Sequence, residues 1–131
     1  MPYSSTERRN ARQRARYAES AEFRAKKKAR HLKQYDTPLG VAKQKLIGSR
    51  ITARSRGYQP CASTPQDLVD SFTGECEICK SLGTMRELHL DHCHSTGNFR
   101  GWLCSGCNHA LGNMRENPAL LVAAAHYLLG R

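Results

Sequence analysis

Two Cys-x-x-Cys pairs, Cys76–Cys79 and Cys104–Cys107, stand with 24 residues between them in a chain of 131. That spacing is the spacing of a four-cysteine zinc site. It constrains the fold strongly, because the intervening segment must leave the metal and return to it. In so short a chain such an ion supplies folding free energy that a small core cannot. Four thiolates close the coordination sphere, so the expected zinc is structural and takes no substrate. Cys61 and Cys93 fall outside the pattern and read as free thiols.

Six cysteines could instead form three disulfides. A secreted disulfide scaffold normally follows a signal peptide, and Met1–Arg16 is charged with no apolar core. Paired cysteines closing four-residue loops also make poor staples. A reducing, cytoplasmic compartment is therefore expected. The longest apolar run, Ala119–Ala125, is far too short to span a bilayer, so no membrane role is expected.

Charge divides the chain. Residues 1–60 hold 16 Lys+Arg against 4 Asp+Glu, whereas residues 61–131 hold 5 against 7, so nets of +12 and −2 sum to +10. Two regions are expected on this basis: a basic, mainly helical extension over 1–60 and a zinc-containing domain over 61–131. A concentrated basic segment suits a polyanion, through phosphate contacts and counterion release. Arg8, Arg12, Arg16, Lys26, Lys27, Lys28 and Arg30 are its candidate nucleic-acid contacts. The plainer reading is a solvated basic tail.

Ser4 and Glu7 stand at capping-box spacing ahead of some thirty Ala-, Arg-, Lys- and Glu-rich residues, with Ser20 placed to divide the helix in two. Asp36-Thr37-Pro38-Leu39-Gly40 reads as a break, and Val41–Arg54 as a basic amphipathic helix. Thr64-Pro65-Gln66-Asp67 is a helix start running to about Phe72. From Glu87 the pattern alternates, with Leu88, Leu90 and His92 on one face and His89, Asp91 and Cys93 on the other. Ser95-Thr96-Gly97-Asn98 supplies a turn, and Phe99–Cys104 a second strand. A short helix carrying Asn108 follows the second cysteine pair, stopped by Gly112-Asn113. Asn117-Pro118 then opens an apolar helix, Ala119–Leu129, expected in the core or across a homodimer. The expected fold class is α+β.

Residues within the zinc frame and directly after it carry the chemistry. The Asp91 carboxylate and the Asn108 amide oxygen are hard donors suited to Mg²⁺ or Mn²⁺. The His92 imidazole can take a proton from water attacking a phosphodiester. Each residue alone has a bland role, as turn cap, structural imidazole or helix cap. Together, with Asp91 and His92 between the cysteine pairs and Asn108 directly after the second, they favour catalysis.

Leu90-Asp91-His92-Cys93-His94, Arg100-Gly101-Trp102-Leu103-Cys104 and Cys107-Asn108 resemble the recombination endonuclease VII family, a phage branch of the HNH, or His-Me finger, nucleases. The resemblance covers about Thr64–Leu129. It implies a zinc-stapled ββα-metal fold, with zinc on Cys76, Cys79, Cys104 and Cys107. It also implies His92 as general base and Asp91 and Asn108 as ligands of a catalytic divalent cation. His94 and Arg100 become candidate phosphate contacts. The expected function is metal-dependent DNA endonuclease, with branched DNA such as four-way junctions among its candidate substrates. The rivals are an HNH nicking or double-strand enzyme without branch preference, and a non-catalytic zinc-finger DNA-binding protein. Cys93 stands where an acidic residue is common in the family, and the strongly basic extra length lies in front of the motif rather than behind it.

Overall fold

The structure is a computed structural model, and it describes residues 4–131. Contacts divide the chain into Met1–Thr37 and Pro38–Arg131. Packing thus changes at Thr37/Pro38, while charge changes near residue 60.

The first unit is a pair of helices, α1 (Ser5–Glu19) and α2 (Ala21–Tyr35). Ser4 and Glu7 form a reciprocal capping box at the start of α1, and the Ser20 hydroxyl accepts from the Phe23 N–H to start α2. Ser20 is also the C-cap of α1, so one residue divides the helices as its position in the sequence suggests. Neither helix buries a residue. Arg24 donates to the Tyr17 and Ala18 carbonyls, satisfying the end of α1.

In the second unit α3 spans Pro38–Arg56, beginning earlier than the expected Val41. Pro38 lies in the first turn, where a missing N–H costs nothing, so Thr37-Pro38 opens the helix instead of interrupting it. Helix α4 (Pro65–Asp70) carries the Thr64/Asp67 capping box. The strands β1 (His89–His92) and β2 (Phe99–Leu103) form an antiparallel hairpin, followed by α5 (Ser105–Asn113) and α6 (Pro118–Leu128).

The core joins α3, α4 and the hairpin. Val41, Ala42 and Leu46 of α3 meet Leu68 of α4, with Cys61, Met85, Leu88 and Trp102. Trp102 is fully buried, edge-on to Phe72 at 5.3 Å between centroids, and donates to the Ser71 hydroxyl at 3.4 Å. Lys45 ties α3 to the entrance of β1 through bonds to the Arg86 and Leu88 carbonyls, at 2.9 and 2.6 Å. Two-stranded hairpins are marginal alone, so this backing is what steadies β1.

The expected alternation along β1 breaks at its end. Register runs Leu90↔Trp102 and Asp91↔Gly101, then shifts so that His92 faces Phe99. The irregularity leaves Arg100 unmatched in the ladder and allows neighbours Asp91 and His92 both to be buried, at 8% and 5% exposure. Helix α6 departs from the first of its two expected roles, a place in the core. It buries no residue, and Leu120, Val122, Tyr127, Leu128 and Leu129 are exposed. No helix among the described residues is long and apolar enough to cross a membrane.

Candidate active site and metal centre

The thiol groups of Cys76, Cys79, Cys104 and Cys107 all lie within 4.8 Å of one another. Cys79 and Cys104 are 3.6 Å apart. A tetrahedron with metal–sulfur bonds of about 2.3 Å has edges of about 3.8 Å, so the cluster has the dimensions of a four-thiolate zinc site. The chemistry also fits a cation. Despite burial that opposes ionisation, backbone hydrogen bonds at Cys104, Cys79 and Ile78 bring the Cys76 thiol down to about 6. Burial and then the neighbouring sulfurs push Cys107 up to about 12. Four thiols this close cannot all ionise unaided, and a divalent ion is what would permit it.

Both cysteine pairs are built into the hairpin. The first lies on a tight turn in which the Cys76 N–H donates to the Ser81 carbonyl and the Lys80 N–H to Cys76, with Lys80 at φ 63°. The Glu77 N–H donates to the Trp102 carbonyl at 2.9 Å, fastening that turn to β2. In the second pair Cys104 directly follows β2 and N-caps α5, its sulfur accepting from the Cys107 N–H. The helix carrying Asn108 therefore starts at a cysteine of the thiol cluster.

Beside this frame lies a cleft of about 530 Å³ lined by α3, β1, α5 and the α5–α6 connection. His92, His94 and Asn108 line it together. Lys45, Arg56, His89 and His109 add basic groups, and Glu116 is its acid. The Asn108 side chain makes no hydrogen bond among the described residues. Burial lowers the pKa of His94, against the opposing pull of Glu116, and burial followed by Lys45 and His109 lowers that of His89.

His92 is held from outside the hairpin. Its Nε2 is 3.0 Å from the Gln59 carbonyl oxygen. A carbonyl only accepts, so Nε2 carries the hydrogen and Nδ1 keeps its lone pair in the neutral ring. The segment after α3 is fixed in turn. The Gln59 N–H donates to the His94 carbonyl, and the Ala62 N–H to Gly97. Tyr58 stacks on His94 at 3.8 Å and 10° between planes.

Asp91 points to a different partner. Arg100 grips its carboxylate twice, at 2.7 and 3.0 Å, and also reaches Glu116 at 3.3 Å. The other Glu116 oxygen is 2.9 Å from His94 Nδ1. Arg100, expected against phosphate, is thus engaged by two carboxylates, and Asp91 is not among the residues lining the cleft. Cys93 stands apart, its thiol lowered to about 6 by the hydroxyl of Ser95 and then by Thr96.

The basic candidates of the first unit divide between two faces. Arg8, Arg12 and Arg16 line a groove with Phe23, Arg16 lying over that ring at 5.1 Å. Lys26 pairs with Glu22, and Lys27 lies over Tyr17. Lys28 lines a second surface with His31, and Arg30 is exposed on α2.

Tyr58, Gln59 and Glu116 carry no motif. Each reaches the site through long-range packing, and no short pattern in the sequence announces them.

The sequence pattern of the family described as recombination endonuclease VII matches residues 52–130, more than half of the chain. The chain belongs to the recombination endonuclease VII family. Among curated relatives, the Gene 59 protein of Mycobacterium phage L5 is 41% identical over 58 residues, covering 43% of this chain and 35% of that one. The Gene 59 protein of Mycobacterium phage D29 is 42% identical over 57 residues, covering 42% and 34%. The matched segment thus spans about a third of the length of these relatives. Among solved structures, the beta-beta-alpha-Me type II restriction endonuclease Hpy99I aligns with a TM-score of 0.46 and 28% identity, over 60% of this chain and 47% of that one. The family match takes in the hairpin, both cysteine pairs, α5 and α6, and leaves out most of α3.

Proposed function

We propose that this chain is a metal-dependent endonuclease that hydrolyses DNA phosphodiester bonds, with His92 as general base. The observation that carries this reading is the bond from His92 Nε2 to the Gln59 carbonyl, because it leaves Nδ1 as the proton acceptor beside a basic cleft. Zinc on the four cysteines holds β2 against α5. Asp91 and Asn108 fit a hard cation such as Mg²⁺ or Mn²⁺. Both offer oxygen, Asn108 is uncommitted, and a carboxylate has about four lone-pair positions of which Arg100 takes two. When bound, that ion supplies charge neutralisation at the scissile phosphate and at the departing 3′-oxygen.

The chain's own residues do the rest. His92 accepts the proton of the attacking water, the water oxygen bonds to phosphorus, the bond from phosphorus to the 3′-oxygen breaks, and the departing oxygen takes a proton from solvent water. The ends are then 5′-phosphate and 3′-hydroxyl. Lys45 and Arg56 give the cleft the charge to hold the DNA backbone, and His94 lines it beside them. The arginines and lysines of α1 and α2 grip further phosphates without reading sequence. The family supports branched DNA as the preferred substrate, and the exposed apolar side chains of α6 support a homodimer contact.

The test is a cleavage panel of four-way junction, nicked, looped and linear DNA with Mg²⁺ or Mn²⁺, for the wild type and His92→Ala. Wild-type cleavage reduced roughly 10²–10⁴-fold in the variant, with DNA binding retained, is expected. A wild type that cuts nothing in the panel rules the reading out. Linear duplex cut as well as junction removes branch preference, and a monomer by sedimentation removes the homodimer.

A further inference from the structure

Glu116 lies in the connection between α5 and α6, away from every motif that marks the site. It and Arg115 both have left-handed backbones, at φ 52° and 56°, which non-glycine residues rarely adopt. Two such residues in succession are held by a compact set of bonds, Arg115 N–H to Gly112, Glu116 N–H to Leu111 and Asn117 N–H to Met114. Strain of this kind persists where surrounding structure fixes it, and here it turns the Glu116 carboxylate back toward the hairpin. The carboxylate is largely enclosed, with 21% of the side chain exposed. It makes two separate contacts, one oxygen to His94 Nδ1 at 2.9 Å and the other to the Arg100 guanidinium at 3.3 Å.

Those contacts differ in what they do. A carboxylate accepts and does not donate, so His94 carries its hydrogen on Nδ1 and presents Nε2 as its remaining ring nitrogen. Tyr58 holds the face of the same ring. His94 is therefore fixed on one face and one edge within the cleft, while Arg100 is shared between Asp91 and Glu116.

We propose that Glu116 is a positioning residue of the active site, orienting His94 for contact with substrate and holding Arg100 beside Asp91. This rests on the nuclease reading, since the positioning has a consequence for turnover only if the cleft cuts DNA. Glu116 touches no reacting atom and acts through its two neighbours.

The experiment compares wild type, Glu116→Ala and Glu116→Gln as full chains, with bound zinc and far-ultraviolet dichroism as folding controls. Ring nitrogen NMR shifts read the His94 tautomer without any activity. The wild type is expected to hold the hydrogen on Nδ1, Glu116→Ala to shift it toward Nε2, and Glu116→Gln, which keeps an accepting oxygen, to restore it. Cleavage is expected to lose roughly tenfold or more in kcat with little change in KM for Glu116→Ala, partly rescued in Glu116→Gln. An unchanged His94 tautomer in Glu116→Ala overturns the proposal. So does a changed tautomer with unchanged turnover. A wild type that cuts no DNA sinks the nuclease reading itself and is recognised before any variant is made.

Discussion

His92 and Gln59 are 33 residues apart in sequence, yet the Nε2 of one meets the carbonyl oxygen of the other at 3.0 Å. The imidazole thereby joins the end of β1 to the segment that follows α3. His92→Ala leaves that carbonyl without its side-chain partner at a part-buried position. A loss of about 1–3 kcal/mol of stability is expected, measured by denaturant melts of both proteins.

Metal removal should act on the hairpin first. Cys79→Ser replaces a thiolate by a weaker ligand, and strong chelation removes the ion altogether. One zinc per wild-type chain is expected by elemental analysis, with a substoichiometric content and a lower melting temperature for the variant. Correctly folded wild type with no zinc would rule the assignment out.

Gly97 has φ +79°, and a Cβ built there would lie 2.5 Å from the Pro60 carbonyl oxygen. Both the backbone conformation and the close approach require glycine. Gly97→Ala should cost about 1–3 kcal/mol, from the strained backbone alone, and more if the Pro60 segment cannot move. Because that segment includes Gln59, cleavage should fall with stability. A melt indistinguishable from wild type contradicts the packing.

Acid should weaken three helix and turn starts together. Hydrogen bonds at Ser4, Thr64 and Thr84 hold the carboxyls of Glu7, Asp67 and Glu87 below their usual range. A depressed folded pKa means that the stabilisation is complete above the unfolded value and is lost as pH falls through the folded one. The expected outcome is acid titration of each carboxyl below its reference of 4.5 for the glutamates and 3.8 for Asp67. Carboxyl-carbon NMR measures this directly, and Ser4→Ala should return Glu7 toward its ordinary value.

Deleting residues 1–37 tests the basic helices. Weaker DNA binding with a flatter salt dependence is expected, since each lost phosphate contact lowers the slope by about one. Zinc content should be unchanged. A slope that survives the deletion places the DNA grip elsewhere.

The sequence carried the local features well, because local chemistry decides them. Ser4 with Glu7 and Thr64 with Asp67 are caps complete within four residues, and both are formed. Ser20 separates two helices by its own hydrogen bond. The cysteine spacing was equally legible, since four thiols sharing one point leave little choice of topology. Pro38 was misleading, because proline both breaks a helix and starts one, and only the neighbouring structure decides. The strand alternation failed at Asp91 and His92 because an irregular register, which no two-residue period can encode, buries both. Tyr58 and Glu116 were silent for a related reason. Their roles depend on the return of distant segments to the hairpin. Helix α6 looked like core by composition, but none of its residues is buried.

Arg100 gives Asp91 a resident positive charge whatever else the cleft contains. The carboxylate can be enclosed at 10% side-chain exposure without standing alone, because a guanidinium already neutralises it. Any cation that comes to Asp91 therefore arrives by exchange or sharing rather than by filling a void. Its apparent affinity is a difference between two partnerships, and Glu116 offers the displaced guanidinium somewhere to go.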